Sequence, residues 1–179
     1  EEWQREELSA LIEVVIAGLN GQVVPSEDPF EFSPSFLKGT DGNAYVPFTL
    51  SIDPSKVSAS TVAMYLVVSD PTSMPEPDAD ADMPPAAVED AFFAEVMVGG
   101  TDTIEVSRAF AAPGGDYDVY IAIRDSAGGE EATEEQAPDA APVMMLRRRV
   151  SVPDFWNDSL QLSTVLVAEA VEPLDAPLT

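Results

Sequence analysis

The chain has no cysteine and no histidine, and it sets only 8 basic side chains against 33 acidic ones. Without cysteine there are no disulfide staples, thiolate nucleophiles or soft-metal sites. Without histidine there is no imidazole, the side chain that serves most often as general base and metal ligand. The shortage of bases leaves a net charge of −25, which repels nucleic acid and anionic lipid. No apolar run approaches the roughly 20 residues that a spanning helix requires. No G-x-S-x-G, P-loop or H-E-x-x-H motif occurs. Catalysis would have to rest on carboxylates, and these cluster in stretches that read as solvated loops, whereas a catalytic pair needs a rigid, partly desolvated scaffold. Composition therefore points to a non-enzymatic protein without a cofactor. The missing cysteines suit a reducing cytosol and equally an exported protein that never used disulfides.

At 19.1 kDa the chain fits one domain with an appendage, large enough to bury its own core. It opens at Glu1 without a basic or apolar leader, which fits a mature, processed form or, alternatively, a fragment of a longer chain, with processing the favoured expectation. Leu8, Leu11, Ile12, Val15, Ile16 and Leu19 recur at helical spacing, and Gly18, Asn20 and Gly21 end the run, so the spacing predicts a helix over 3–19. Glu1, Glu2, Glu6 and Glu7 sit where the helix dipole favours negative charge, while the β-branched content leaves an extended alternative open.

Beyond a linker at 22–29 the apolar period changes from 3.6 to 2. Strands are expected near 30–37, 44–52, 61–69, 91–98, 102–110, 116–124, 143–152 and 160–167, separated by Asp-Gly, Asp-Pro and Gly-Gly signals. The inward faces read Val46, Phe48, Leu50, Ile52; Val62, Met64, Leu66, Val68; Phe92, Ala94, Val96, Val98; and Tyr117, Val119, Ile121, Ile123. Opposite faces look small or polar, which predicts sheets covered on one side only. Pro47 predicts an edge strand or a bulge. Stretches 71–87 and 126–142, rich in proline, glycine and carboxylates, predict loops. The expected fold is all-β: an antiparallel β-sandwich of seven or eight strands, immunoglobulin-like in type, with one N-terminal α-helix.

Two clusters carry candidate chemistry. Asp78, Asp80, Asp82 and Glu89 stand at offsets 1, 3, 5 and 12, the carboxylate spacing of a calcium loop, so calcium is the one metal to consider. Met83 occupies the position where such a loop needs glycine, and Pro84 and Pro85 follow, so a solvated acidic loop is the plainer reading. Arg147, Arg148 and Arg149 fall in a strand whose apolar face is Met144, Leu146, Val150 and Val152. Alternation then aims Arg148 inward, where it requires a carboxylate or carbonyl partner, a bulge or an interface. Trp3 and Trp156 are the candidate exposed aromatics, and burial beside the helix and in the sandwich end is the alternative for each.

The run PGGDYDVYIAIRD, residues 113–125, resembles the late strand of immunoglobulin-like sandwiches, with Tyr117 at the corner. The runs FEFSPSFLKGTDGNAYVPFTLSIDPSKVSASTVAMYLVV (30–68) and RRRVSVPDFWNDSLQLSTVLVA (147–168) resemble the C-terminal β-rich region of bacterial secreted proteins related to von Willebrand factor A domains. The adhesion domain of that family, with its D-x-S-x-S metal motif, is absent, so no metal site carries over. The resemblance implies a sandwich and an exported bacterial location. For Tyr117 the immunoglobulin-like resemblance implies a hydroxyl bonded back to nearby backbone, a structural role.

These readings divide the chain into a terminal segment at 1–21, a linker at 22–29, a sandwich at 30–168 and a tail at 169–179. The expected function is that of a non-enzymatic secreted or cell-surface structural module. It acts through protein–protein contacts, with Leu8, Leu11, Ile12, Val15, Ile16, Leu19, Arg147, Arg148 and Arg149 as interface candidates and a self-assembling fibre as one form. The partner is another copy or a neighbouring domain, with no nucleic acid and no membrane insertion. The alternative is a monomeric accessory or adhesion domain that binds protein or glycan, with or without calcium.

Overall fold

The computed structural model describes residues 2–22, 29–72, 86–97, 101–126 and 142–165. They are mostly β, with one helix and two antiparallel sheets that share a core. The helix α1 (Glu2–Leu19) comes first, followed by β1 (Glu31–Pro34), β2 (Leu37–Lys38), β3 (Asn43–Ile52), β4 (Thr61–Ser69), β5 (Ala86–Glu95), β6 (Ile104–Pro113), β7 (Gly115–Asp125) and β8 (Met144–Val152). In the first sheet β3 is central, with β6 on one side and both β1 and β2 on the other. The second sheet runs β5-β4-β7-β8.

The expected alternation builds the core. Val46, Phe48, Leu50 and Ile52 of β3, with Val106 and Phe110 of β6, face Val62, Met64, Leu66 and Val68 of β4 and Val119, Ile121 and Ile123 of β7. Phe32, Phe48 and Phe110 form a tilted aromatic row across the first sheet, with centroids 5.3 and 6.2 Å apart, an offset geometry that the ring quadrupoles favour. Arg108 lies over the Phe92 ring at 4.3 Å, bringing β6 of one sheet to β5 of the other.

The strand of 30–37 is split. Pro34 pairs with Phe48 at the end of β1, and Leu37 pairs with Tyr45 at the start of β2. The break falls opposite Pro47, which corrects the expectation of an edge strand or bulge, because Pro47 is central in the sheet. Ser35 N donates to Pro47 O at 2.8 Å, so the missing Pro47 N–H, which points the same way along a strand, faces the interruption between β1 and β2. The β6 side keeps its ladder, with Pro47 opposite Ala109. After β2, Asp41 (φ 54°) and Gly42 (φ 83°) make a tight turn closed by Asn43 N donating to Thr40 O at 2.9 Å, which suits the two left-handed positions of a type I′ hairpin.

The second sheet departs from the expected one-sided cover. Every residue from Val62 to Ser69 is buried. The outward face of β4 carries Ala63, Tyr65 and Val67, and α1 seats Leu11 and Val15 on them together with Tyr120, Ala122 and Met145. Leu8, Ile12 and Leu19 pack around this second core. The helix is thus used by its own chain, as a third layer.

The boundaries of three strands also differ. β5 begins at Ala86, inside the stretch expected as loop, and ends at Glu95, so Val96 and Met97 lie beyond it. β6 and β7 extend to Pro113 and Asp125. Residues 160–165, expected in a strand, are not in one, because Thr164 alone exchanges a main-chain bond with the neighbouring edge.

Candidate interaction surface

Beyond β8 the chain crosses the end of the sandwich and turns back along the first sheet. Phe155 is buried in the core, while its neighbour Trp156 turns outward. Asp154 Oδ1 accepts from Trp156 N at 2.9 Å, an Asx turn that fixes this reversal. Gly114 permits the close approach, since a Cβ there would meet Asp154 Cα at 2.6 Å. Trp156 Nε1 donates to Asn43 O at 3.0 Å, and Lys38 Nζ sits 4.3 Å from the ring centroid. Asn157 Oδ1 then accepts from Ser159 N at 2.9 Å and releases the chain into an extended strap, residues 160–165.

Few bonds hold the strap. Thr164 N donates to Phe36 O at 2.7 Å, Phe36 N donates to Thr164 Oγ1 at 2.9 Å, and Lys38 N donates to Ser163 Oγ at 3.2 Å. Hydroxyls thus stand in for main-chain acceptors along the interrupted β1–β2 edge. Large apolar side chains face solvent here: Leu160 (90% exposed), Leu162 (83%), Val165 (87%), Trp156 (48%) and, on the outer face of β3, Tyr45 (46%). Met97 is the one other exposed large apolar side chain among the described residues, so this class collects at one place. Charge is sparse along the strap itself, with Lys38 over Trp156 and Asp154 and Asp158 at its start. Residues 159–165 contain no charge, and the outer rows of β3 and β6 carry Pro47, Thr49, Ser51, Ser107, Ala109 and Ala111, with Glu31 and Glu105 only at the far end.

The expected interface residues lie elsewhere. Leu11 and Val15 are fully buried beneath α1, and Ile16 is half-buried, so assembly through a free terminal helix loses its support. Arg147, Arg148 and Arg149 are all exposed on β8, the last strand of the second sheet. Arg148 is therefore not the buried cation that alternation implied. Its register opposite Val119 is regular, but at an open edge a long side chain reaches water from the inward row. Arg147 donates to Asp118 Oδ2 at 2.8 Å, which raises its pKa, and lies 5.4 Å from the Tyr120 centroid; Arg149 Nε stands 3.6 Å from Asp118 Oδ1. Asp78, Asp80 and Asp82 lie outside the described residues. Glu89, on β5, accepts from Tyr65 Oη at 2.7 Å. Among the described residues no three acidic side chains gather as a metal site. Trp3 has no described side chain, and Trp156 is half exposed.

Sequence reasoning missed a buried polar cluster beneath α1. Glu7, in the buried stripe with Leu11 and Val15, accepts from Ser126 Oγ at 2.7 Å, and Arg124 is buried with Nε and Nη2 unbonded. The signal was available: Arg124 shares the strand face of Tyr120 and Ala122, and Glu7 precedes Leu11 and Val15 at four-residue spacing. No helix among the described residues is long and apolar enough to cross a membrane. No protein-family model matches the chain, and no curated protein matches it.

Proposed function

We propose that this chain is a non-enzymatic structural module of an exported bacterial protein. In this reading it is an immunoglobulin-like sandwich that binds protein through the face formed by the strap, Trp156 and Tyr45. The observation that carries the reading is the gathering of Leu160, Leu162, Val165, Trp156 and Tyr45 on one charge-poor zone of a chain whose net charge is −25. For the immunoglobulin-like type, the support is Tyr117 Oη donating to Pro113 O at 3.1 Å, the tie of a tyrosine corner, at the crossing from one sheet to the other. Among the described residues, β1 and β2 taken as one interrupted strand give seven strands, and taken separately they give eight. Export rests on the resemblance of 30–68 and 147–168, which here form β1 to β4 and then β8 with the strap.

A photo-reactive residue replacing Leu160, in cells that make the protein, tests both parts. Adducts with a protein, recovered from the exported fraction, are expected. No adduct with any protein, itself included, removes the contact reading, and retention in the cytosol removes the location.

A glycan-binding alternative is favoured by one observation, the half-exposed Trp156 and Tyr45 at the same end of β3. Stacking on sugar rings would then be lost in Trp156→Ala, as read by binding to a glycan array. Wild-type protein silent on such an array disposes of it.

A further inference from the structure

We infer that the strap pairs with the strap of a second copy of this chain, antiparallel about a two-fold axis near Leu162, joining two first sheets edge to edge. The inference rests on the contact reading above and names its partner.

The strap is a strand without a sheet. Its Leu-Gln-Leu-Ser-Thr-Val sequence alternates as a strand does, yet one edge makes a single main-chain bond, from Thr164 to Phe36, and its side chains project into water. Exposed donors and acceptors on such an edge are a template for strand addition.

Charge selects the partner. A basic protein would be drawn to acidic surface throughout a body of −25, and an acidic peptide to Arg147, Arg148 and Arg149 on β8. A charge-free strap suits a partner that is itself strongly acidic and can approach only where neither side presents a carboxylate. This chain meets that description. β5 offers Glu89, Asp90 and Glu95, so edge pairing there would set acid against acid. An antiparallel pair about a perpendicular two-fold places even-numbered residues opposite even-numbered ones, so Leu162 meets its own copy and Leu160 meets Thr164. Closure at two copies follows, because each strap's free edge is then used.

The chain has no cysteine, so one introduced thiol reports the contact directly. In the full chain, Leu162→Cys is expected to give a disulfide-linked dimer on mild oxidation, and Met97→Cys, two residues beyond the end of β5, is expected to give no disulfide link. Sedimentation of the unmodified chain should show a dimer that tightens from about 0.1 M to about 1 M sodium chloride as the repulsion between two acidic bodies is screened. Leu162→Glu, which sets two carboxylates across the axis, should weaken it by at least about tenfold while leaving the circular dichroism unchanged. A monomer at every salt concentration, or a dimer indifferent to Leu162→Glu, overturns the inference. A monomer whose Leu160 position still cross-links a different protein leaves the contact reading standing and removes only the second copy. If no cross-link forms at all, both fall.

Discussion

At the scale of the residue, the costliest placement is Arg124. A buried guanidinium with two unbonded nitrogens is favourable only with an anion in reach, and Glu7 is buried in the same helix–sheet layer, bonded to Ser126 two residues along the same strand face. Glu7→Ala should cost about 3–5 kcal/mol in urea denaturation, and Glu7→Leu with Arg124→Met should recover most of it, since apolar replacement of a buried ionic group is often neutral. Tyrosines set the alkaline limit. Burial raises the pKa of Tyr65, Tyr117 and Tyr120, with the Glu89 bond adding to it at Tyr65. A raised folded value favours the neutral phenol, so its contribution is complete below the ordinary value of about 10 and is lost as pH climbs past it. Phenolate absorbance should therefore rise together with loss of the β signal above about pH 10. Phenolate formation with the sheets intact would contradict this.

At the scale of the element, α1 shows what alternation alone could miss. The inward row of β3 is legible because its other row, Tyr45, Pro47, Thr49 and Ser51, contrasts with it, whereas β4 offers no such contrast and β7 offers none at Tyr120 and Ala122. Ala63, Tyr65 and Val67 were not assigned a cover, although they are as apolar as the row that faces the core. A strand buried on both faces and an amphipathic helix in search of a surface were two halves of one observation. Leu11→Ala should cost about 2–5 kcal/mol, because the helix and sheet cannot both relax into the space. Removal of residues 1–21 should leave the outer face of β4 and β7 bare and bind a hydrophobic dye strongly. Pro47 predicts an edge strand or a bulge, and β3 is neither, since the missing donor interrupts the neighbour instead, and the gap between β1 and β2 is that interruption. The alternating pattern of the strap predicts a strand. What no pattern reveals is whether an extended segment finds a partner, and within one chain residues 160–165 find little.

At the scale of the whole molecule, charge opposes compactness. With −25 on 179 residues, self-repulsion lowers stability, and salt should restore it: the melting temperature is expected to rise from about 0.02 M to about 0.5 M sodium chloride as the screening length shrinks. Calcium at equal ionic strength separates two explanations. An equal rise marks general screening, and a larger, saturable one points to the acidic stretch holding Asp78, Asp80 and Asp82.

The place of β3 has a further consequence, for how the chain acquires this shape. β3 meets β6 only across the whole of β4 and β5, and among the described residues the first sheet has no other broad partner for it. Loop closure must come before any reward, so folding should be slow for this size, in the range of milliseconds to seconds, with β4 and β5 formed as a hairpin first. During that wait the apolar rows of β3 and β4 are open to other nascent chains. The same excess of carboxylates that weakens the finished molecule would then keep unfinished ones apart.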